Sequence, residues 1–276
     1  MVRLVITSHH RRKAPAAGRH GLCHCIEMDR DFRRGYIEID FPTEPFHSVF
    51  RLLVRSAVLF FANLRFLAAV TLAVYLPVKL ALQFACYVLD VPTNGILSYL
   101  LLDISDLVLS ALVIPAVIYG LVARFRGGQT AAVGESLRWG RRQWGKTLWN
   151  MFKVEVTVAL WGALLVIPGL VAMVRLVFAG AIVAIEADRE TEVLARSRAL
   201  SRGHGWRIFL VLLPLMAADL LGSYLVLSAL DQAAYSRVVI AVADSVLSVG
   251  GQWTTVAVLL MYLGVVRPAP PAKALR

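Results

Sequence analysis

Residues 206–230 read WRIFLVLLPLMAADLLGSYLVLSAL, a run in which Arg207 and Asp219 are the only charged side chains. The hydrocarbon core of a bilayer is about 30 Å thick, so a helix needs roughly 20 mostly apolar residues to cross it. The run is therefore long enough to span a membrane as a helix. It predicts that the chain is an integral membrane protein.

The composition of the whole chain supports this class. Of its 276 residues, 58% are hydrophobic and 17% are charged, whereas soluble domains contain roughly 45–50% apolar residues even when glycine is counted. The excess is concentrated in several long runs. This pattern excludes a water-soluble globular enzyme and, for most of the chain, intrinsic disorder.

The apolar runs predict an all-α, polytopic inner-membrane protein with six transmembrane helices. Basic residues cluster in both tails and in two of the connections, and the positive-inside rule then places both termini in the cytoplasm. Pro168-Gly169 is expected to form a tight outer turn between the third and fourth spans. The six spans are predicted at roughly 65–88, 97–123, 148–167, 169–187, 206–230 and 238–265.

Each pair of spans is preceded by a segment with periodic apolar residues and a basic face, which predicts three amphipathic interfacial helices on the cytoplasmic side. We therefore divide the chain into a basic tail (1–44), three units of interfacial helix plus hairpin (45–126, 127–188 and 189–267, together the membrane domain 45–267) and a short tail (268–276). The basic residues expected to face anionic headgroups are Arg51, Arg55, Arg138, Arg141, Arg142, Lys146, Arg196, Arg198, Arg202 and Arg207.

Charged residues within the spans are the most informative feature, because each costs about 2.5–3.5 kcal/mol at mid-membrane on insertion scales. At ~1.5 Å of rise per residue, six of them are predicted to share one polar layer roughly 10 Å below the outer surface. Structural ion pairing and a transport or ion pathway are both open interpretations. The six residues are Lys79, Asp103, Asp106, Arg175, Asp219 and Asp244.

The net charge of +11 could suggest nucleic-acid binding, but the basic residues follow the expected cytoplasmic segments and no nucleic-acid motif accompanies them. Cys23-His24-Cys25 matches no zinc spacing, so neither a metal nor another cofactor is expected. No P-loop, Gly-x-Ser-x-Gly or His-Glu-x-x-His motif is present. We therefore expect a protein that is not an enzyme.

Four short motifs between residues 160 and 210 carry a resemblance to a known family: Ile167-Pro168-Gly169-Leu170, Arg175, Ala184-Ile185-Glu186-Ala187 and ARSRALSRGHGWRI at 195–208. The chain is similar there to bacterial membrane proteins grouped with the glycerophosphoryl diester phosphodiesterase membrane domain. The resemblance implies a six-helix inner-membrane protein linked to lipids or the envelope, and it implies no phosphodiesterase activity, since nothing here resembles that catalytic domain.

These observations favour a non-enzymatic role in membrane or envelope organisation, with membrane lipids bearing anionic headgroups as partners and no nucleic acid. The alternative function is a small secondary transporter or channel that uses the polar layer.

Overall fold

A computed structural model describes residues 49–89, 96–127, 131–186, 192–231 and 237–266. The predicted tails 1–44 and 268–276, together with the Cys23-His24-Cys25 segment, lie outside these residues. All regular structure within the described ranges is helical, which confirms the all-α class. The helices are α1 (Val49–Ala62), α2 (Leu64–Val88), α3 (Ile96–Gly127), α4 (Val133–Leu164), α5 (Val166–Leu176), α6 (Ala179–Ile185), α7 (Val193–Ser201), α8 (Gly205–Asp231) and α9 (Arg237–Val266).

Five helical segments in the described residues are long and apolar enough to cross a membrane, at 64–88, 100–125, 166–185, 205–225 and 237–266. The chain is thus a multi-pass membrane protein by helix length and hydropathy. The span predicted at 148–167 is not among them. Most of its residues, as far as Leu164, belong to α4, where Asn150, Lys153 and Glu155 interrupt the apolar run. The sixth crossing, and with it the side of each terminus, stays a prediction.

The second interfacial helix is not a separate element. It was expected to end before the third span, but α4 runs without interruption from Val133 to Leu164. Its first half packs against α3: Trp139 stacks on Tyr119 with ring centroids 5.4 Å apart, and Trp144 Nε1 donates a hydrogen bond of 3.0 Å to the Val108 carbonyl. Packing on a neighbouring helix therefore replaces the expected break.

The buried face of α4 also differs from the expected one. The apolar stripe predicted from periodicity ran through Val133, Leu137, Trp144 and Leu148, but none of these four is fully buried. At Gly140, α3 approaches so closely that a Cβ atom would overlap the Leu112 carbonyl oxygen, whereas one position earlier the ring of Trp139 packs on Tyr119. The buried residues of α4 are Ser136, Trp139, Gly140, Gln143 and Thr147.

The turn between α4 and α5 lies at Leu165, whose φ of −160° and ψ of 139° are extended, and not at Pro168-Gly169 as expected. Pro168 fits within the first turn of α5, where a missing backbone N–H leaves no hydrogen bond unmade. Gly169 lies directly against the backbone of Gly162 in α4. The absence of a side chain on Gly169 lets α4 and α5 form a close hairpin, whereas a Cβ atom on Gly162 would meet nothing within 4 Å.

The other two interfacial helices end as predicted. Asn63 separates α1 from α2, and residues 202–204 separate α7 from α8. Gly203 has a φ of +82°, a left-handed conformation that glycine adopts without strain. The chain can therefore change direction sharply between Ser201 and Gly205.

A continuous apolar core joins the spans. Leu67 of α2, Val117 of α3, Ile182 of α6, Ile208 of α8 and Leu259 of α9 are all fully buried within it. These helices hold the polar and charged side chains described next in defined positions.

Candidate functional site

Lys79 lies at the centre of an ion cluster formed by three helices. Its Nζ atom is 2.5 Å from Asp106 Oδ1 of α3 and 2.7 Å from Asp244 Oδ2 of α9. The Lys79 side chain is 1% exposed, whereas those of Asp106 and Asp244 are 44% and 33% exposed. A buried ammonium needs such partners, because taking an unpaired charge out of water costs several kcal/mol.

The position of Lys79 follows from the periodicity of α2. Thr71, Tyr75 and Lys79 recur at intervals of four residues and are all buried, so they occupy one face of the helix. On α9, Ser248 donates a hydrogen bond of 2.9 Å to the Asp244 carbonyl. Polar side chains therefore line both helices that contribute to the cluster.

A polar column extends from the cluster along α2 and α9. Gln252 lies eight residues beyond Asp244, about 12 Å along the helix axis, and Thr71 lies the same distance before Lys79. Among the described residues, neither Gln252 Oε1 nor Thr71 Oγ1 has a hydrogen-bond partner, although both are buried. Buried polar atoms of this kind are rare in native proteins.

Two members of the predicted layer lie elsewhere. Asp219 is exposed on α8, and a Cβ atom on Gly251 would lie 3.8 Å from its Oδ1. Gly251 is seven residues after Asp244, so Asp219 lies at a level about 10 Å along α9 from the cluster. Asp103 is exposed on α3, one turn before Asp106. The structure thus joins Lys79, Asp106 and Asp244, and leaves Asp219 apart.

Arg175 is also outside the layer. Its backbone carbonyl accepts hydrogen bonds from Ser197 at 2.9 Å and from Ser201 at 3.4 Å, both in α7. The turn at Leu165 explains the error, because Arg175 follows it by ten residues, about 15 Å of helix, and not by six. Arg175 therefore lies beside the third interfacial helix.

Arg175 and the residues around it form a cleft between α5, α7 and α8, which we call the arginine cleft. Its volume is about 540 Å³, and Arg175, Arg198 and Arg202 line it. Its other walls are mostly apolar, with Ile167 and Trp206 at 75% and 71% exposure on its rim. Ligand pockets usually have volumes of about 300–1,000 Å³. The arginine cleft falls within this range.

A second cleft of about 470 Å³ lies between α4 and α5, and we call it the hairpin cleft. Thr157 and Trp161 of α4 line one wall, and Pro168 and Ala172 of α5 line the other. Arg175 and Arg198 belong to both clefts.

The three arginines of the arginine cleft have no acidic partner among the described residues. The arginine beside them on α7 is paired: Arg196 Nη2 lies 3.7 Å from Glu186 Oε1, and Tyr262 donates a hydrogen bond of 2.7 Å to the same oxygen. Arg196 was expected to face headgroups; its half-buried side chain lies beside the buried Glu186 carboxylate, and its contact with headgroups stays a prediction.

The remaining residues expected to face headgroups are exposed on the protein surface. They lie on α1, on α4 and around the break between α7 and α8, and their contact with lipid stays a prediction. These residues are Arg51, Arg55, Arg138, Arg141, Arg142, Lys146, Arg198, Arg202 and Arg207.

Sequence reasoning missed the arginine cleft as a site, although it singled out the arginines. Arg175 was assigned to the intramembrane polar layer, and Arg198 and Arg202 were assigned to the headgroup-facing surface. The packing of α7 against α5, which brings the three together, cannot be predicted from the periodicity of α7. Within the described part of the chain, no group of three or more His, Cys, Asp or Glu residues could hold a metal ion.

Comparisons with protein-family models, with curated proteins and with solved structures find no match for this chain. The resemblance to the phosphodiesterase membrane domain stays a prediction.

Proposed function

We propose that this chain is a non-enzymatic inner-membrane protein, with both termini in the cytoplasm, that acts in membrane or envelope organisation by binding anionic phospholipids in the arginine cleft. The observation that carries this proposal is the position of three guanidinium groups beside an apolar cleft, those of Arg175, Arg198 and Arg202, which have no acidic partner within the described ranges. A phospholipid combines the two matching chemistries, an anionic phosphate and apolar chains.

Arginine suits this ligand for physical reasons. Its planar guanidinium forms bidentate hydrogen bonds to phosphate and is less strongly hydrated than the lysine ammonium. Each basic residue near an anionic membrane surface contributes about 1 kcal/mol of attraction. Three such groups around one cleft supply enough energy to select anionic over zwitterionic lipids.

The orientation of the cleft also fits a lipid. Arg175 lies near the end of α5 and Ile167 near its start, eight residues or about 12 Å away along the helix. Trp206 of α8 also lines the cleft, and tryptophan is enriched at membrane interfaces. The phosphate would then bind beside Arg198 while acyl chains extend along α5.

An exposed apolar face on α1 gives the protein a further contact with lipid. Phe50, Val58 and Phe61 are all more than half exposed, while Arg51 and Arg55 lie on the same helix. Such a basic amphipathic helix is typical of elements that lie in the membrane interface.

Replacing the shared arginines tests the proposal. We expect the double variant Arg175→Ala/Arg198→Ala, purified as the full chain in detergent, to bind phosphatidylglycerol at least ~10-fold more weakly than the unmodified protein, since two cations at ~1 kcal/mol each are lost. Native mass spectrometry measures the bound lipid. Arg141→Ala is the matched control, because Arg141 is an exposed arginine of α4 that lines neither cleft.

Phosphatidylcholine of the same chain length serves as the zwitterionic reference. Binding to phosphatidylglycerol should exceed binding to phosphatidylcholine and should weaken as salt is added, because exposed charges are screened over about 8–10 Å at physiological ionic strength. Equal binding of the two lipids, or an unchanged affinity in the double arginine variant, would contradict the proposal.

A small transporter or channel is the second candidate function, and the ion cluster favours it. Lys79 supplies one positive charge against the two carboxylates of Asp106 and Asp244, and intramembrane ionisable residues often mark ion pathways. The polar column from Thr71 to Gln252 would extend the pathway along α2 and α9.

This second function predicts a cation flux that depends on Asp244. In proteoliposomes containing a pH-sensitive or sodium-sensitive dye, Asp244→Asn should abolish the flux given by the unmodified protein. Asp103→Asn is the control, since the exposed Asp103 lies outside the ion cluster. Unmodified protein that gives no more flux than protein-free liposomes would exclude this function for the ions tested.

A further inference from the structure

The arginine cleft and the hairpin cleft lie on two sides of the same helix. Ile167, Val171 and Arg175, all in α5, line both clefts, and so does Arg198 of α7. Helix α5 is therefore a common wall. At one end of this wall, two guanidinium groups are accessible from both sides.

Each cleft has the same polarity along α5. Arginine side chains lie at the end near Leu176, and apolar side chains lie toward Ile167 at the start of the helix. A lipid placed in either cleft would have its phosphate beside the same two arginines. Two phosphates at this position would carry two negative charges, and Arg175, Arg198 and Arg202 would supply three positive charges to meet them.

We infer that the two clefts together bind one diphosphatidyl lipid, that is, a lipid with two phosphodiester groups joined by a short linker and with acyl chains on each half. This inference rests on the proposed function and names its ligand. One phosphatidyl half occupies the arginine cleft and the other occupies the hairpin cleft. The linker crosses α5 beside Arg175 and Arg198, and each arginine can form bidentate hydrogen bonds to a phosphate.

Linkage makes this ligand preferable to two separate lipids. Once the first half is bound, the second is held at a high effective concentration near its own cleft, and the combined affinity exceeds that of either half. Basic pockets between membrane helices are known to favour lipids of this type. Both arginines of the hairpin cleft, Arg175 and Arg198, also line the arginine cleft. The hairpin cleft therefore adds most to lipid affinity when the two phosphatidyl halves belong to one molecule.

Lipid stoichiometry in the unmodified full-length protein gives the first test. In a titration with diphosphatidylglycerol, native mass spectrometry should detect one bound lipid per protein. In a second titration, with phosphatidylglycerol that has the same acyl chains, it should detect two. Diphosphatidylglycerol should bind at least ~10-fold more tightly than phosphatidylglycerol, as expected for linked ligands. Inorganic phosphate at the same phosphate concentration should displace neither lipid, because it lacks chains to fill the clefts.

Variants that fill one cleft give the second test. Ala172→Trp should fill the hairpin cleft, which Ala172 lines without lining the arginine cleft. Gly205→Leu should fill the arginine cleft, where a Cβ on Gly205 would make an ordinary contact of 3.8 Å with Val174. Each variant should bind a single phosphatidylglycerol and lose the ~10-fold preference for the linked lipid. Ala217→Trp, at an exposed site of α8 that lines neither cleft, should behave like the unmodified protein.

The outcomes separate this inference from the proposed function. The two-cleft inference is wrong if diphosphatidylglycerol and phosphatidylglycerol bind with equal affinity, or if the protein is saturated by one phosphatidylglycerol. The proposed anionic-lipid site would still be supported in that case if Arg175→Ala/Arg198→Ala abolishes lipid binding. If that double arginine variant binds both lipids normally, both proposals fail. The titration of the unmodified protein decides the inference even if a cleft-filling variant does not fold.

Discussion

Replacing Lys79 with methionine is expected to lower the free energy of unfolding by about 3–5 kcal/mol, the range measured when one partner of a buried ion pair is removed. Methionine keeps much of the volume and length of the lysine side chain but removes its charge. Asp106 and Asp244 would then face each other without the ammonium between them. Their mutual repulsion and the loss of two close contacts, at 2.5 Å and 2.7 Å, both favour unfolding.

Chemical unfolding of the purified protein in lipid bicelles measures this effect. Asp103→Asn is the control, because this carboxylate is exposed and lies outside the cluster; its replacement should change the free energy of unfolding by less than about 0.5 kcal/mol, as is usual for surface sites. A Lys79→Met variant as stable as the Asp103→Asn control would show that the cluster does not hold α2, α3 and α9 together.

Double-mutant cycles separate the two carboxylates. Combining Lys79→Met with Asp106→Asn, and separately with Asp244→Asn, gives the coupling energy of each pair, and contacting charged residues usually couple by about 0.5–3 kcal/mol. A strong coupling to both aspartates supports structural pairing. Asp244→Asn that leaves stability intact but abolishes ion flux would instead support the transporter.

The sequence could predict the ion cluster because depth follows from residue counts within continuous helices. Lys79, Asp106 and Asp244 lie in α2, α3 and α9, and each of these helices runs uninterrupted from its end to the charged residue. A rise of ~1.5 Å per residue is then enough to place charges from different helices at one level. Whether their side chains face one another depends on rotation about each helix axis, which residue counts alone do not determine.

The same counting failed where the chain breaks unexpectedly. Arg175 was misplaced because α5 begins after Leu165 and ends at Leu176, before the shorter α6. Asp219 was misplaced because its depth depends on where α8 begins relative to the membrane. Pro-Gly is a common turn sequence, so a turn was predicted at Pro168-Gly169. Proline is also well suited to the first turn of a helix, and this is where Pro168 lies in α5.

The arginine cleft could not be predicted because it depends on tertiary contacts. Ser197 and Ser201 anchor α7 to the Arg175 carbonyl, and serine residues in a short basic helix carry no sequence signal for such a contact. The pairing of Glu186 with Arg196 and Tyr262 was missed for the same reason. Charge clusters in sequence identify basic surfaces, but only the packing of helices shows which charges turn inward.

Gly140→Leu is expected to have the second large effect on stability. A Cβ atom at this position would overlap the Leu112 carbonyl oxygen of α3 and would approach the Ala116 Cβ to 3.1 Å. Because the Leu112 carbonyl belongs to the backbone of a long helix, it cannot turn aside as a flexible side chain would. The α3 and α4 helices must therefore separate, and we expect a loss of about 1–3 kcal/mol or more, as found for overpacked cores.

Gly145→Leu is the matched control, since a Cβ atom on Gly145 in the same helix would have no neighbour within 4 Å. Both substitutions remove a helical glycine, and the better helix propensity of leucine should stabilise each by under about 1 kcal/mol. In bicelles, the free energy of unfolding should therefore fall for Gly140→Leu and rise slightly for Gly145→Leu. Near-equal stabilities would mean that α4 does not pack closely along α3, and the second basic segment would then be a free interfacial helix, as the periodicity of the sequence predicts.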